Sequence, residues 1–264
     1  MSDNSLFTLT DVSFAYGTDP VLQEINLCLP PGKFYGVVGP NGCGKTTFLD
    51  LLIGARKQLT GTIVFNGKQI HAYAKRELAR QLALVPQEFD TGFGFTVEEI
   101  VLMGRHPHID RFSSPSQEDW LAVDQAMECI GISKLKDRYT NNLSGGQKQR
   151  AVVARALAQN APVLLFDEAT ASLDVKYTLQ IFNIARQLVR AEGRTVIAVI
   201  HNLNLAAAYC DQLLFMKDGR ILCHGPTDQT LTAETIAEVF DVQAQVVFDP
   251  FNKTRQVSFQ YWQQ

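Results

Sequence analysis

The sequence predicts an α/β fold: a mostly parallel sheet with helices on both faces, an N-terminal antiparallel β region and an inserted helical stretch. Three observations predict it. From about residue 161 onward, short apolar runs alternate with amphipathic helical patterns. Between about 90 and 160 the apolar residues recur with a helical period. And Gly39-Pro40-Asn41-Gly42-Cys43-Gly44-Lys45-Thr46 fits the pattern G-x-x-x-x-G-K-[ST], set between a strand pattern and a helix pattern.

Taken in order, Phe7, Leu9, Val12 and Phe14 mark one strand, with Tyr16 at its end before Gly17. Ile25, Leu27 and Leu29 alternate along a second, and Pro30-Pro31-Gly32 turns the chain. Lys33–Val38 reads as a short buried strand into the glycine loop, and Thr46–Ile53 as a helix out of it, ended by Gly54. Thr62–Phe65, Asn66-Gly67 and Lys68-Gln69-Ile70 form a hairpin pattern. Leu82–Val85 is a short buried strand followed by Pro86-Gln87. In the helical stretch, Thr96-x-x-Glu99 and Ser116-x-x-Asp119 are capping-box signals, the second followed by Trp120, Val123, Met127 and Ile130 on one face and Gly131 as stop. A third helix covers 143–159. Then come a strand at Val163–Phe166, a long amphipathic helix at Val175–Arg190, a strand at Thr195–Ile200 and a short helix at Asn204–Tyr209. A hairpin spans Leu213–Leu222, a last helix Thr232–Phe240, and two β-rich pieces Gln245–Phe248 and Gln256–Tyr261.

Three stretches carry chemistry. In Gly39–Thr47 the glycines let successive backbone N–H groups turn inward around phosphate oxygens, with the positive end of a helix behind them. Lys45 can reach the outer phosphates, and the Thr46 hydroxyl can ligate Mg²⁺. Val163-Leu164-Leu165-Phe166 ends in Asp167-Glu168, whose side chains leave the strand in different directions. One can hold Mg²⁺ and the other can orient a water; standing alone, the pair reads as a solvated acidic turn. Leu143-Ser144-Gly145-Gly146-Gln147 is a second glycine-rich helix N-terminus with a hydroxyl donor, another anion site.

With these residues the chain resembles the nucleotide-binding subunit of ABC transporters, a P-loop NTPase with a RecA-like core. Gly39–Thr46 is similar to that family's Walker A, Val163–Asp167 to its Walker B and Leu143–Gln147 to its signature motif. The resemblance covers nearly the whole chain. It implies one domain over 1–264, with a core of 1–89 and 161–264 and a helical subdomain near 90–160. It also implies that Tyr16 stacks on adenine, that Gln87 senses Mg²⁺ and the attacking water, and that Asp167, with Thr46, faces the metal. Glu168 becomes the catalytic carboxylate, Ser172-Leu173-Asp174 the D-loop and His201 the switch histidine. ATP and Mg²⁺ are the implied cofactors. Two copies packed head to tail, each ATP between Walker A of one and Ser144–Gln147 of the other, are the implied assembly.

Within the family, Thr96–His108, His201–Asp211 and Phe240-Asp241-Val242 are most similar to the ATPases of vitamin B12, haem and iron–siderophore importers. That implies separate polytopic permease subunits, a substrate-binding protein reached through them, and a place at the cytoplasmic face of the inner membrane. Asn202 departs from the Asp of many members but keeps a polar helix cap. His106 and His108 are ligand types by chemistry, yet two residues apart around a proline they read as surface or interface side chains. Soluble family members in DNA repair or translation are one alternative; those usually carry coiled-coil insertions or two cassettes, and this chain has neither. An importer for a different cargo and an exporter ATPase, which differs in the region following Gln87, are the others.

Composition is that of an ordinary globular protein. The 264 residues are 46% hydrophobic and 19% charged, with a net charge of −3 and no basic block, which argues against a nucleic-acid surface. No apolar run approaches a membrane span, and the polar, acidic start Met1–Ser5 carries no signal-peptide pattern, so a cytoplasmic location is expected. Five cysteines, scattered without metal spacing, read as reduced thiols that mostly fill core.

Overall fold

The computed structural model describes residues 5–89, 93–170 and 173–260. Packing divides the chain into two units, Met1–Tyr73 with Thr195–Gln264, and Ala74–Arg194.

The first unit opens with β1 (Phe7–Tyr16), β2 (Asp19–Leu29), β3 (Phe34–Val38), α1 (Lys45–Leu52), β4 (Thr60–Phe65) and β5 (Lys68–Gln69). Phe7, Leu9, Val12 and Phe14 are buried along β1. The step from Leu9 to Val12 is three residues rather than two because the register with β2 shifts there, from Leu9↔Leu27 to Val12↔Ile25. β1 is flanked by β2 and β4 in an antiparallel sheet of order β2-β1-β4-β5. Ile70, expected in the hairpin, instead opens a 3-10 turn with its side chain buried.

The second unit contains α2 (Lys75–Gln81), β6 (Leu82–Val85), α3 (Val97–Leu102), α4 (Gln117–Ile130), α5 (Gly145–Ala158), β7 (Val163–Asp167) and α6 (Val175–Glu192). β6 and β7 pair in parallel, Leu82 opposite Val163 through Val85 opposite Phe166. The regular elements between them are helical, and both predicted capping boxes form: Thr96 with Glu99 and Ser116 with Asp119. The buried stripe of α4 is Asp119, Val123, Ala126, Met127 and Ile130, whereas Trp120 is exposed, so the aromatic expected on the core face is off it. Asp119 takes the inward position because it has a partner there. Arg105 Nε donates to Asp119 Oδ1 at 2.9 Å and Arg105 Nη1 to the Ala158 carbonyl at 2.8 Å, with both charged side chains under 9% exposed.

This pair gives a stability prediction. Burial pushes the Asp119 carboxyl up, but the Ser116 backbone N–H and hydroxyl and the Arg105 guanidinium outweigh it and hold the group below its ordinary 3.8. Asp119→Asn leaves the Arg105 charge buried without a counter-charge, and a loss of about 3 kcal/mol is expected in denaturant unfolding at pH 7. A depressed carboxyl stabilises above its ordinary pKa and loses that effect as pH falls through its folded value. The gap between parent and variant is therefore full at neutral pH and narrows below about pH 4.

The chain returns to the first unit with β8 (Thr195–Val199), α7 (Leu203–Tyr209), β9 (Gln212–Lys217), β10 (Arg220–Pro226), α8 (Thr227–Thr230), α9 (Ala233–Phe240), β11 (Ala244–Asp249) and β12 (Thr254–Phe259). Here β3 lies parallel to both β8 and β9, and β10 pairs antiparallel with β9. All five residues of β3 and of β8 are buried, as parallel strands of an α/β sheet should be. β11 and β12 form a separate hairpin held to α7, where the Asn204 amide bonds both the N–H and the carbonyl of Val257. Tyr261, expected at the end of that last strand, lies outside the described residues. All five cysteines are free thiols, but only Cys43 and Cys210 are buried. Cys28 falls on the outward side of β2 between buried Leu27 and Leu29, and Cys129 on the outer face of α4, so the core-filling expectation fails for these two.

Candidate functional site

In the first unit the glycine loop joins β3 to α1. A Cβ at Gly39 would sit 2.2 Å from the Met216 carbonyl oxygen, so only glycine fits where the loop leaves the sheet. Gly42 and Gly44 have φ of +78° and +99°, conformations that turn the intervening amides inward. Gly44 is the N-cap of α1 and has no side chain to cap it, so no cap side chain stands between an anion and this helix start. Lys45 is 5% exposed; its Nζ donates to the Gly39 and Pro40 carbonyls at 3.0 and 2.8 Å. The ammonium is thus seated on the loop itself. Asn41, Gly42 and Thr46 are exposed, while Thr47 is buried under the helix start. Cys43 is packed against Gly39, and burial pushes its thiol above the ordinary range against the pull of Lys45.

Two further predicted residues belong to this unit. Tyr16, at the end of β1, is 45% exposed and stands edge-on to Phe14 with centroids 5.0 Å apart. His201 follows β8 and precedes α7. Asn202 caps α7, accepting from Asn204 N–H at 2.9 Å and Leu205 N–H at 3.2 Å, so the cap expected of this substitution is present.

The second unit holds the acidic residues. β7 is buried throughout and ends on Asp167. Glu168 follows with φ +49°, an uncommon conformation for a residue with a Cβ and one found where a side chain must be aimed. The pairing of Val85 with Phe166 places Gln87 and Glu168 two residues beyond one rung, at the C-terminal ends of adjacent parallel strands. Gln87 Nε2 donates to Glu168 Oε2 at 2.9 Å.

The glycine-rich start of α5 is a capping box. Ser144 Oγ accepts from the Gln147 N–H at 3.3 Å and Gln147 Oε1 accepts from the Ser144 N–H at 3.0 Å. The serine hydroxyl, used there as acceptor, retains its own proton to donate. A Cβ on Gly145 would meet nothing within 4 Å, so this helix end, with Gly146 next to it, opens onto space. Asp174 caps α6 by accepting from the Tyr177 N–H at 3.0 Å; Ser172 of the same predicted loop lies outside the described residues. His108 Nε2 is 2.9 Å from the Gln159 carbonyl oxygen, an internal packing contact. Among the described residues, no group of three or more His, Cys, Asp and Glu is placed to hold a metal, and no helix is long and apolar enough to cross a membrane.

Sequence alone does not single out Arg56, which lies in an aperiodic turn after α1. In the structure its guanidinium lies 4.7 Å from the Tyr16 ring centroid.

Comparison with known proteins gives the same picture. A family model described as ABC transporter matches residues 22–171. The cobalamin import ATP-binding protein BtuD of Halobacterium salinarum is 43% identical over 230 residues, covering 87% of this chain and 57% of that protein. The chain thus spans little more than half the length of that relative. The iron(3+)-hydroxamate import ATP-binding protein FhuC of Bacillus subtilis is 35% identical over 247 residues, covering 94% of this chain and 91% of that one. Among solved structures, an inward-facing putative metal-chelate type ABC transporter aligns over 98% of both chains, with 29% identity and a TM-score of 0.83. The motifs, the α/β architecture and these likenesses agree: the chain belongs to the ABC transporter family.

Proposed function

We propose that this chain is the ATP-binding and ATP-hydrolysing subunit of an importer. In this reading it acts at the cytoplasmic face of the inner membrane, as a pair of identical copies under separate polytopic permease subunits. A substrate-binding protein acts on it indirectly through those permeases. The observation that carries the hydrolytic part of this reading is the Gln87–Glu168 hydrogen bond, and the importer part is supported by the relatives' names. A carboxylate that abstracts a proton from water must be held in one direction, and here an amide from the neighbouring strand end holds it.

The chain's own groups divide the work. The amides of Gly39–Lys45 and the start of α1 bind phosphate oxygens, and Lys45 neutralises part of their charge. Tyr16 presents a ring face to the base. Glu168 accepts the proton of the attacking water, while Gln87 and His201 orient that water and the outer phosphate. Ser144–Gln147 of the second copy supplies a further set of donors to the same phosphate, and Asp174 caps the helix beside it. Thr46, Asp167 and Gln87 offer hydroxyl, carboxylate and amide oxygens, the hard donors that suit Mg²⁺. When bound, Mg²⁺ would offset charge on the phosphates.

For cargo, the names of the relatives favour an iron chelate or a cobalamin-type molecule, and haem rests on the resemblance of the sequence alone. Cargo touches the permease and binding protein rather than this chain, and the net charge of −3 gives no reason to expect nucleic acid. The test is to co-express the chain with candidate polytopic permeases from its genome, purify any complex and measure ATP turnover in proteoliposomes. Turnover is expected to rise when the binding protein loaded with a ferric chelate or cobalamin is added. A chain that hydrolyses ATP but fails to associate with any permease would overturn the importer role.

A further inference from the structure

The ring of Tyr16 is not a lone aromatic on the surface. Arg56 places its guanidinium over the ring, with Cζ 4.7 Å from the centroid, close enough for a cation–π contact. The guanidinium is anchored from behind: Arg56 Nε donates to Asp50 Oδ2 at 2.9 Å, and this bond is the main reason the Arg56 pKa is raised. The anchor is reinforced by the backbone, since the N–H groups of Ala55 and Arg56 both donate to the Asp50 carbonyl, at 2.9 and 3.3 Å. Phe14 meets the ring at 88°. The aromatic is therefore held both by Phe14 and by a cation over its face.

Asp50 sits on α1, the helix whose first residue is Lys45. One short helix thus bears the phosphate-binding lysine at its start and, through Asp50 and Arg56, fixes the aromatic at the end of β1. We propose that Arg56 is a positioning residue for the nucleotide base: it holds one face of Tyr16, so that the other face is presented to a purine in register with phosphates on the glycine loop. This rests on the reading of Tyr16 as the base platform. A guanidinium suits the task because it can lie over the ring while its Nε is tied to a carboxylate.

The test is calorimetric binding of Mg-ATP and of Mg-tripolyphosphate, which lacks the base, to the full chain and to Arg56→Ala, Tyr16→Leu and the double variant. An exposed cation–π contact predicts that Arg56→Ala weakens ATP binding about threefold and leaves tripolyphosphate binding unchanged. In the Tyr16→Leu background, the Arg56 substitution should weaken ATP no further, because its effect passes through the ring. Unchanged or tighter ATP binding by Arg56→Ala, equal weakening of both ligands, or full additivity in the double variant would each overturn the proposal. If Tyr16→Leu itself leaves ATP binding unaltered, the base platform is elsewhere and both claims fall. If Tyr16→Leu weakens ATP and Arg56→Ala does not, only the role of Arg56 fails.

Discussion

Glu168→Gln is expected to bind Mg-ATP as tightly as the parent and to turn it over about 10²–10⁴ times more slowly. The substitution keeps the size of the side chain and an oxygen that can accept from Gln87 Nε2, so the 2.9 Å contact survives. It removes the carboxylate that Gln87 holds, and positioned general-base assistance is worth about that factor. At φ +49° a Gln is no more strained than the Glu it replaces, so the expected loss belongs to the carboxylate and not to a moved loop. Steady-state ATPase assays beside calorimetry separate the two effects. Turnover within twofold of the parent would remove Glu168 from the role of base.

Lys45→Ala should act at the earlier step. The ammonium is almost fully buried and seated on the Gly39 and Pro40 carbonyls, where it must serve the loop and any phosphate the loop holds. Charge-assisted hydrogen bonds contribute about 1.5–3 kcal/mol each. Losing one to the triphosphate corresponds to roughly tenfold or more in affinity. Calorimetry should show that weakening, and no hydrolysis should be measurable. An unchanged affinity for Mg-ATP would mean that the nucleotide does not lie on this loop.

What the sequence made legible follows from the range of each signal. The glycine loop, the apolar β7 ending in Asp167-Glu168, the caps at Thr96 and Ser116 and the glycine-rich helix start after Ser144 are local patterns, and each appears where the pattern placed it. α2 was not legible because a single residue, Leu78, is buried along it, too few to set up a period. On α4 the apolar period alone cannot choose between a face through Trp120 and one through Asp119. The choice falls to Arg105, fourteen residues away, whose buried charge needs the carboxylate. The contact between Gln87 and Glu168 spans 81 residues and depends on the register of β6 against β7, which no short pattern encodes. The Arg56–Tyr16 contact is likewise tertiary.

The central claim is that a working site takes its glycine loop from one copy and its Ser144–Gln147 donors from another. Mixing Lys45→Ala with Ser144→Arg, each inactive alone, tests it most directly. If the donors act on the partner's nucleotide, a mixed pair contains one site with both lesions and one with neither. ATPase activity should then reappear in the mixture, rising with the fraction of mixed pairs and falling when either variant is in large excess. If Ser144 served the nucleotide of its own chain, every site in the mixture would carry a lesion. A mixture that stays inactive while crosslinking shows mixed pairs, under conditions where a pair of parent and Glu168→Gln chains still turns over, would contradict the shared site.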